Sequence, residues 1–354
     1  MRTIIALFVV VVLAALGFAA WQMYVPSAPP PGQTFVLLRS GYSTRRIAAE
    51  LKKAGIIRSE LAFRLWHAAH AKPTLKAGEY LFERAATLPE VHDRIARGDI
   101  YVHVVTIPEG FTMFDIAKAI EDAGLGRAAD FLHLAETDTQ LISDIAPGAK
   151  SLEGYLFPNT YRFTRTQSLE EMAAAMVRQF RQVAQQIGLA AQNSANRAAA
   201  AVDQPNASLP DASKPDVNKV VILASIIEKE TAAPEERPLV ASVYSNRLAL
   251  NMALDADPSV IYGELLAGTY QGSLHHADLT INSPYNTYRF PGMPPGPIGN
   301  PGRTALEAAL HPASTKFLYF VSDGNGHHRF AATLAEQDLN IAAYRRALGL
   351  HSKQ

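Results

Sequence analysis

The stretch Gly41-Tyr42-Ser43-Thr44-Arg45-Arg46-Ile47-Ala48-Ala49-Glu50-Leu51-Lys52-Lys53-Ala54-Gly55 returns in altered form as Gly110-Phe111-Thr112-Met113-Phe114-Asp115-Ile116-Ala117-Lys118-Ala119-Ile120-Glu121-Asp122-Ala123-Gly124. Ile47-Ala48 matches Ile116-Ala117, Leu51 matches Ile120, and Ala-Gly closes both at the same offset. A constant offset marks a duplicated unit. Apolar residues recur at helical spacing in each copy, so each reads as a turn leading into a short amphipathic helix with glycine at its C-terminal end. Val36 to Leu38 and Val102 to Ile107 precede the copies and read as strands. A second echo sets Gly78-Glu79-Tyr80-Leu81-Phe82 against Gly154-Tyr155-Leu156-Phe157. Phe35 to about Phe163 therefore reads as small α+β modules.

Upstream, Ile4 to Trp21 is an uninterrupted apolar run, extended by Met23 to Val25 past Gln22. This length crosses a bilayer core as a helix. Arg2 precedes the run and no Lys or Arg follows until Arg39, which predicts a cytoplasmic N-terminus and an outward body. Trp21 and Tyr24 stand where an interfacial aromatic belt belongs. A cleaved signal peptide, with small residues near Gly17 and Ala19, is the competing reading; either one sends the chain out of the cytoplasm. Val25 to Gly32, VPSAPPPG, reads as a stiff polyproline spacer.

Downstream, Ser168 to Ile187 has helical spacing, with Met172, Met176 and Phe180 on one face. Ala190 to Asp216 is dominated by Ala, Asn, Ser, Asp and Pro and reads as a flexible insertion, though Ala198 to Ala201 can continue a helix. Val220 to Ile227 is apolar and runs straight into Glu228-Lys229-Glu230. Pro238 to Leu250 reads as a helix. Asp257-Pro258 reads as an N-cap followed by proline, opening a helix through Leu266. Ser283 to Pro301 is a long irregular loop. Phe317 to Val321 and His328 to Ala331 flank Asp323-Gly324-Asn325-Gly326 as a hairpin, and Thr333 to Glu336 matches a capping box. The expected organisation is α+β: a transmembrane anchor over 1–25, a proline-rich linker over 26–34, the duplicated region over 35–165, a connecting helix over 166–189, the insertion over 190–216 and a mostly helical C-terminal domain with a β-hairpin over 217–350.

Composition narrows the chemistry. The 33 basic and 33 acidic residues cancel, which argues against a nucleic-acid partner. No cysteine occurs in the 354 residues, so disulfides, thiol nucleophiles and cysteine-based zinc sites are excluded. There is no HExxH, the pairs His275-His276 and His327-His328 lack ligand spacing, and neither a phosphate loop nor a G-x-S-x-G elbow is present. Ser225 lies inside the apolar helix and reads as a backbone-facing residue.

Glu228 is the first candidate for chemistry. It ends an apolar helix, where low-dielectric packing raises a carboxyl's pKa and suits a general acid. Lys229 and Glu230 do not share its face. The alternative is a solvated helix end. The loop Asn282-Ser283-Pro284-Tyr285-Asn286-Thr287-Tyr288 offers amide, hydroxyl and phenol groups beside flat rings, the mixture that sugar recognition uses, with prolines fixing its backbone; the alternative is a rigid connector. Asp257 is explained as a cap, and Asp255 has no assigned place.

These motifs combine. Leu223-Ala224-Ser225-Ile226-Ile227-Glu228-Lys229-Glu230-Thr231 resembles the signature of the MltG (YceG-like) endolytic murein transglycosylases. So do Asp257-Pro258-Ser259-Val260-Ile261-Tyr262-Gly263, Ser283-Pro284-Tyr285-Asn286-Thr287-Tyr288, Pro294-Pro295-Gly296-Pro297-Ile298 and Asn300-Pro301-Gly302. Upstream, Ser151-Leu152-Glu153-Gly154-Tyr155-Leu156-Phe157-Pro158 and Ile107-Pro108-Glu109-Gly110 match as well. The resemblance runs from about Phe35 to Ala347. It departs at Asn159, where the family often has Asp, and in the length of the insertion.

The resemblance implies a single-pass inner-membrane protein with a cytoplasmic N-terminus and a periplasmic bulk. It implies a LysM-like duplicated region and a catalytic C-terminal domain. The family's catalytic glutamate falls on Glu228, and Tyr288, Asn286, Tyr285 and Asp257 become expected substrate contacts. The implied reaction cuts peptidoglycan between N-acetylmuramic acid and N-acetylglucosamine without water. It leaves 1,6-anhydro ends and terminates nascent strands, with no metal or organic cofactor and with peptidoglycan synthases (penicillin-binding proteins) as partners. One carboxyl suffices, whereas most glycosidases need two. A hydrolytic muramidase would need a second carboxylate, for which Asp255 or Glu230 stand as suspects. A non-catalytic wall-binding scaffold is the alternative of a different class.

Overall fold

In a computed structural model the chain is described over residues 2–27, 32–70, 73–189 and 215–349. Positions 190–214 of the expected 190–216 insertion lie outside these residues, as do linker positions 28–31 and residue 350. Helices dominate, with three two-stranded sheets among the described residues, so the mixed α and β class holds.

Helix α1, Arg2–Tyr24, has 23 residues and buries none of them. At 1.5 Å per residue it spans roughly 35 Å, more than the ~30 Å of a hydrocarbon core. It is a candidate single-pass anchor. Its last turn touches the domain that follows. The Tyr24 ring meets Trp66 edge-on at 6.0 Å, the Arg58 guanidinium lies 4.9 Å from the Trp21 ring, and Arg58 donates to the Val25 and Pro26 carbonyls.

The chain divides into two compact units, the first covering 1–105, 123–125 and 162–168. In it β1 (Thr34–Leu38) pairs antiparallel with β2 (Gly78–Phe82), Val36 opposite Tyr80. Val36 and Leu38 alternate inward as a half-buried strand requires and close over Ile47, Leu51 and Phe63. These come from α2 (Thr44–Lys53) and α3 (Glu60–Ala69). Helix α4 (Leu88–Arg97) starts on a Thr87/Glu90 capping box and stops at Gly98, whose φ is 73°; glycine takes that left-handed conformation without a Cβ penalty.

Both repeat copies run strand, helix, helix, strand. The first is β1, α2, α3, β2. The second is β3 (His103–Ile107), α5 (Met113–Asp122), α6 (Ala128–Thr137) and β4 (Asn159–Phe163), with β3 beside β4. Gly55 and Gly124 close the first helix of each copy at φ 74° and 68°. The echo of Gly78–Phe82 in Gly154–Phe157 does not carry the same structure. The second strand, Asn159–Phe163, starts only after Pro158, while 151–158 is a chain of turns and bends. Those turns use side-chain partners in place of a ladder: the Leu156 N–H donates to Asn300 Oδ1 at 2.9 Å.

The second unit covers 106–122, 126–161 and 169–354. Helix α7 (Leu169–Gln186) buries Met172, Met176 and Phe180, with Phe180 edge-on to Tyr155 at 5.0 Å. Helix α8 (Val217–Glu230) starts on Asp216, whose side chain accepts from the Lys219 N–H. Residues 221–227 are buried all round, the mark of a central helix. Around it stand α9 (Arg237–Ala249), α10 (Asp257–Ala267) and α11 (Arg303–Leu310). The hairpin β5 (Tyr319–Ser322) and β6 (His328–Ala331) pairs antiparallel, and α12 (Leu334–Ala347) opens on the expected Thr333/Glu336 capping box.

Candidate active site

Two carboxyls leave the end of α8 in different directions, because residues two apart on a helix are turned by about 200°. Glu228 points into a polar knot. Its Oε1 accepts from Arg237 at 2.6 Å and its Oε2 accepts from the Gly302 N–H at 2.9 Å. Gly302 is the N-cap of α11, so Glu228 also stands at the positive end of that helix. Arg237 is 5% exposed; it also donates to Thr304 and lies 3.6 Å from Glu109. Burial lifts the Glu228 carboxyl above its ordinary range, against the pull of the Gly302 N–H and Arg237. Both its oxygens accept, so this is the geometry of a carboxylate already fully employed.

Glu230 lines a cavity of about 200 Å³ with Tyr244, Arg247, Asp255, Asp257 and Tyr288. Burial pushes its carboxyl up to about 7, and nearby Asp257 adds to the rise; the Tyr244 hydroxyl and Arg247 oppose it. A carboxyl balanced near neutrality is what proton transfer needs. Burial and the neighbouring Glu230 hold the Tyr244 phenol well above its usual range, so it remains a hydrogen-bond donor.

The rest of the cavity is built by Arg247 and the loop after α10. Arg247 donates to the carbonyls of Leu318, Ala253 and Leu254 and to Asp255 Oδ2, at 2.7 to 3.1 Å. This fixes a turn in which Asp255 takes φ 53°, a left-handed conformation that costs a non-glycine residue about 1–2 kcal/mol. Strain held in this way is common where side chains must be aimed. The turn delivers Asp257 to the rim. The expectation that Asp257 caps α10 is corrected: it is the first helical residue, Ala256 is the N-cap, and no side chain caps that end. The Asp257 carboxylate instead accepts from the Tyr288 hydroxyl at 2.6 Å.

Asn286 is fully buried. Its amide donates to the Leu279 and Ile281 carbonyls and its Oδ1 accepts from the Tyr288 N–H. The Thr287 hydroxyl accepts from the Ala256 N–H and shares a hydrogen bond with the Ser259 hydroxyl, which itself donates to the Ala256 carbonyl. Together they lock the loop so that Tyr288 meets Asp257. The Tyr285 ring packs 5.1 Å from Tyr262, and burial pushes its phenol up to about 12. Of the residues singled out in the sequence, Asp255, Asp257 and Tyr288 therefore share the cavity with Glu230. Glu228, Asn286 and Tyr285 do not line it. Tyr244 and Arg247 belong to none of the sequence motifs, yet their i, i+3 spacing on α9 puts them on one face. A larger hollow of about 470 Å³ near Ile187 and His311 lacks this convergence of polar groups, which is the better mark of a site.

Residues 36–343 match the model of the YceG-like family. An endolytic murein transglycosylase from Bacillus subtilis (strain 168) is 32% identical, over 84% of this chain and 81% of that protein. An endolytic murein transglycosylase from Streptococcus pneumoniae serotype 2 is 26% identical, over 94% of this chain and 63% of its own length. A crystal structure of a YceG-like protein from Listeria monocytogenes superposes with a TM-score of 0.54 at 28% identity, covering 87% of this chain and 99% of that one.

Proposed function

The chain belongs to the YceG-like family, and from that premise we propose that it is a lytic transglycosylase acting on peptidoglycan, with Glu230 as its acid/base. The names of its relatives support the activity. The observation that carries the residue is the contrast at the end of α8. Glu228 has both oxygens engaged by Arg237 and Gly302, while Glu230 faces a polar cavity with its carboxyl raised to about 7. In the cleavage step Glu230 gives its proton to the glycosidic oxygen leaving C1 of N-acetylmuramic acid, and the C1–O bond breaks. As a carboxylate it then takes the proton of the same sugar's C6 hydroxyl, whose oxygen bonds to C1. The product is a 1,6-anhydro end, and no water enters.

The finer assignments extend this reading. The duplicated strand-helix-helix-strand unit is a LysM-like glycan-holding region over 35–165, and the catalytic domain follows from 217. Helix α1 is a single-pass inner-membrane anchor with the body in the periplasm. Cutting ends nascent strands beside peptidoglycan synthases. Tyr288 and Asp257 contact substrate, Asn286 acts through the loop it holds, and Tyr285 flanks that loop. A hydrolytic muramidase is the second reading, favoured by the presence of Asp255 and Asp257 in the same cavity.

Mass spectrometry of digested glycan strands tests both readings. The lytic reading expects anhydro ends, and products heavier by one water sink it. Glu230→Gln should lower the rate by roughly 10²–10⁴-fold, the usual weight of general acid–base catalysis. Glu228→Gln should keep most activity per folded molecule. The reverse pattern returns the role to Glu228.

A further inference from the structure

Within the cavity, Asp257 is the charged group that the fold explains least. It caps no helix and pairs with no cation among the described residues, since the nearby guanidinium of Arg247 is given to Asp255 and three carbonyls. Its Oδ1 accepts the Tyr288 hydroxyl at 2.6 Å, and its second oxygen accepts no hydrogen bond from a described residue. Tyr288 is placed with care: its N–H is held by Asn286, and its neighbour Thr287 is tied to Ala256 and Ser259. Burial and the Asp257 carboxylate keep its phenol protonated. The strained Asp255 turn just upstream is a further cost borne to present Asp257 at this rim. An acceptor-only carboxylate beside a fixed hydroxyl donor is the complement of a secondary amide, which offers one N–H and one C=O.

We propose that Asp257 and Tyr288 together bind the 2-acetamido group of the sugar whose bond is cut, Asp257 taking its N–H while the Tyr288 hydroxyl turns its one proton from Asp257 to the acetamide carbonyl oxygen. The proposal rests on the reading of this cavity as a lytic transglycosylase site and names what its second carboxylate does. Asp257 is not a base for water. As Glu230 protonates the leaving oxygen and the C1–O bond breaks, the acetamide oxygen bonds to C1 and the amide nitrogen gains positive charge. The Asp257 carboxylate stabilises that charge where it develops. The C6 oxygen then bonds to C1, the acetamide C–O bond to C1 breaks, and the C6 hydroxyl proton passes to Glu230. The acetamide returns unchanged. Specificity follows, because a site built to satisfy an amide leaves its own polar groups unpaired on a substrate that lacks one.

The test uses the full-length chain in detergent on glycan strands with the acetamido groups intact and on the same strands after N-deacetylation. Wild type should cut intact strands roughly 10⁴-fold faster, the order by which a hydrogen-bonding site rejects an analogue lacking the group. Asp257→Asn should slow cutting of intact strands by about 100-fold with KM nearly unchanged, and its preference for acetylated strands should collapse. Tyr288→Phe should do the same to a smaller degree. In parallel, the thiazoline analogue of N-acetylmuramic acid, which mimics the ring-closed intermediate, should bind wild type and lose at least ~10-fold in affinity with Asp257→Asn. If Asp257→Asn slows both substrates equally and binds the thiazoline as wild type does, the proposal is overturned while the site reading stands. If Glu230→Gln leaves cutting intact, the site reading itself falls.

Discussion

Glu228 and Glu230 are separated by one lysine, yet they answer to different surroundings. For Glu228 the surroundings are Arg237, buried and dependent on it. Glu228→Ala leaves that guanidinium without its closest carboxylate, and loss of one member of a buried pair costs about 3–5 kcal/mol. Urea unfolding should show a loss of that order, and a change below ~1 kcal/mol would contradict the structural role. For Glu230 the surroundings set a proton affinity. Its carboxyl is raised to about 7 and must carry its proton to start the reaction, so kcat/KM should fall as pH rises through that value. Tyr244 hydrogen-bonds the charged form and thereby lowers the value. Tyr244→Phe should move the alkaline limb to higher pH, and a pH–rate profile that moves the other way, or stays in place, would remove Glu230 from the acid role.

At the scale of elements, much of the fold was legible because local chemistry determines it. The apolar run before Glu228 became a central helix, the Thr333/Glu336 box opened α12, and Asp323 to Gly326 turned a hairpin. Where tertiary partners take over, legibility stopped. Asp257-Pro258 looks like a capped helix start, but the carboxylate found a stronger partner in Tyr288, thirty-one residues on. Gly154–Phe157 repeats the letters of a strand, but Asn300 takes its Leu156 N–H and the ladder moved downstream. Gly154 itself carries a further expectation. Its φ is 88°, and a Cβ there would lie 2.6 Å from both Val221 Cγ1 and Pro297 Cγ. Gly154→Ala adds a left-handed penalty of about 1–2 kcal/mol to overpacking of about 1–3 kcal/mol. Thermal unfolding should report a loss of a few kcal/mol, and an unchanged midpoint would show that the turn relaxes freely.

Burial of whole carboxyls is a property of the assembled molecule, which is why the sequence left Glu153 inside a motif and said nothing of its state. It is 1% exposed and accepts from the Met113 N–H, Tyr262 and Asn300, tying α5, α10 and the proline-rich loop together. Burial raises its carboxyl to about 7, as it does for Glu230. The consequence for stability has a definite sign. Between the ordinary value of 4.5 and about 7, the folded chain binds more protons at these two sites than the unfolded chain does. Unfolding free energy therefore falls as pH rises through that window, by about 3 kcal/mol per group at most. Glu90, Glu236, Asp323 and Glu336 are shifted the other way by hydrogen bonds, so their contribution is lost only below their ordinary range. The two sets together place maximum stability on the acidic side of neutrality. Thermal unfolding of the full-length chain from pH 4 to 8 should show the midpoint highest near pH 5, and Glu230→Gln should flatten the decline above it without touching the acid limb. A midpoint that climbs steadily to pH 8 would mean that these carboxyls are not as deeply desolvated as their packing indicates.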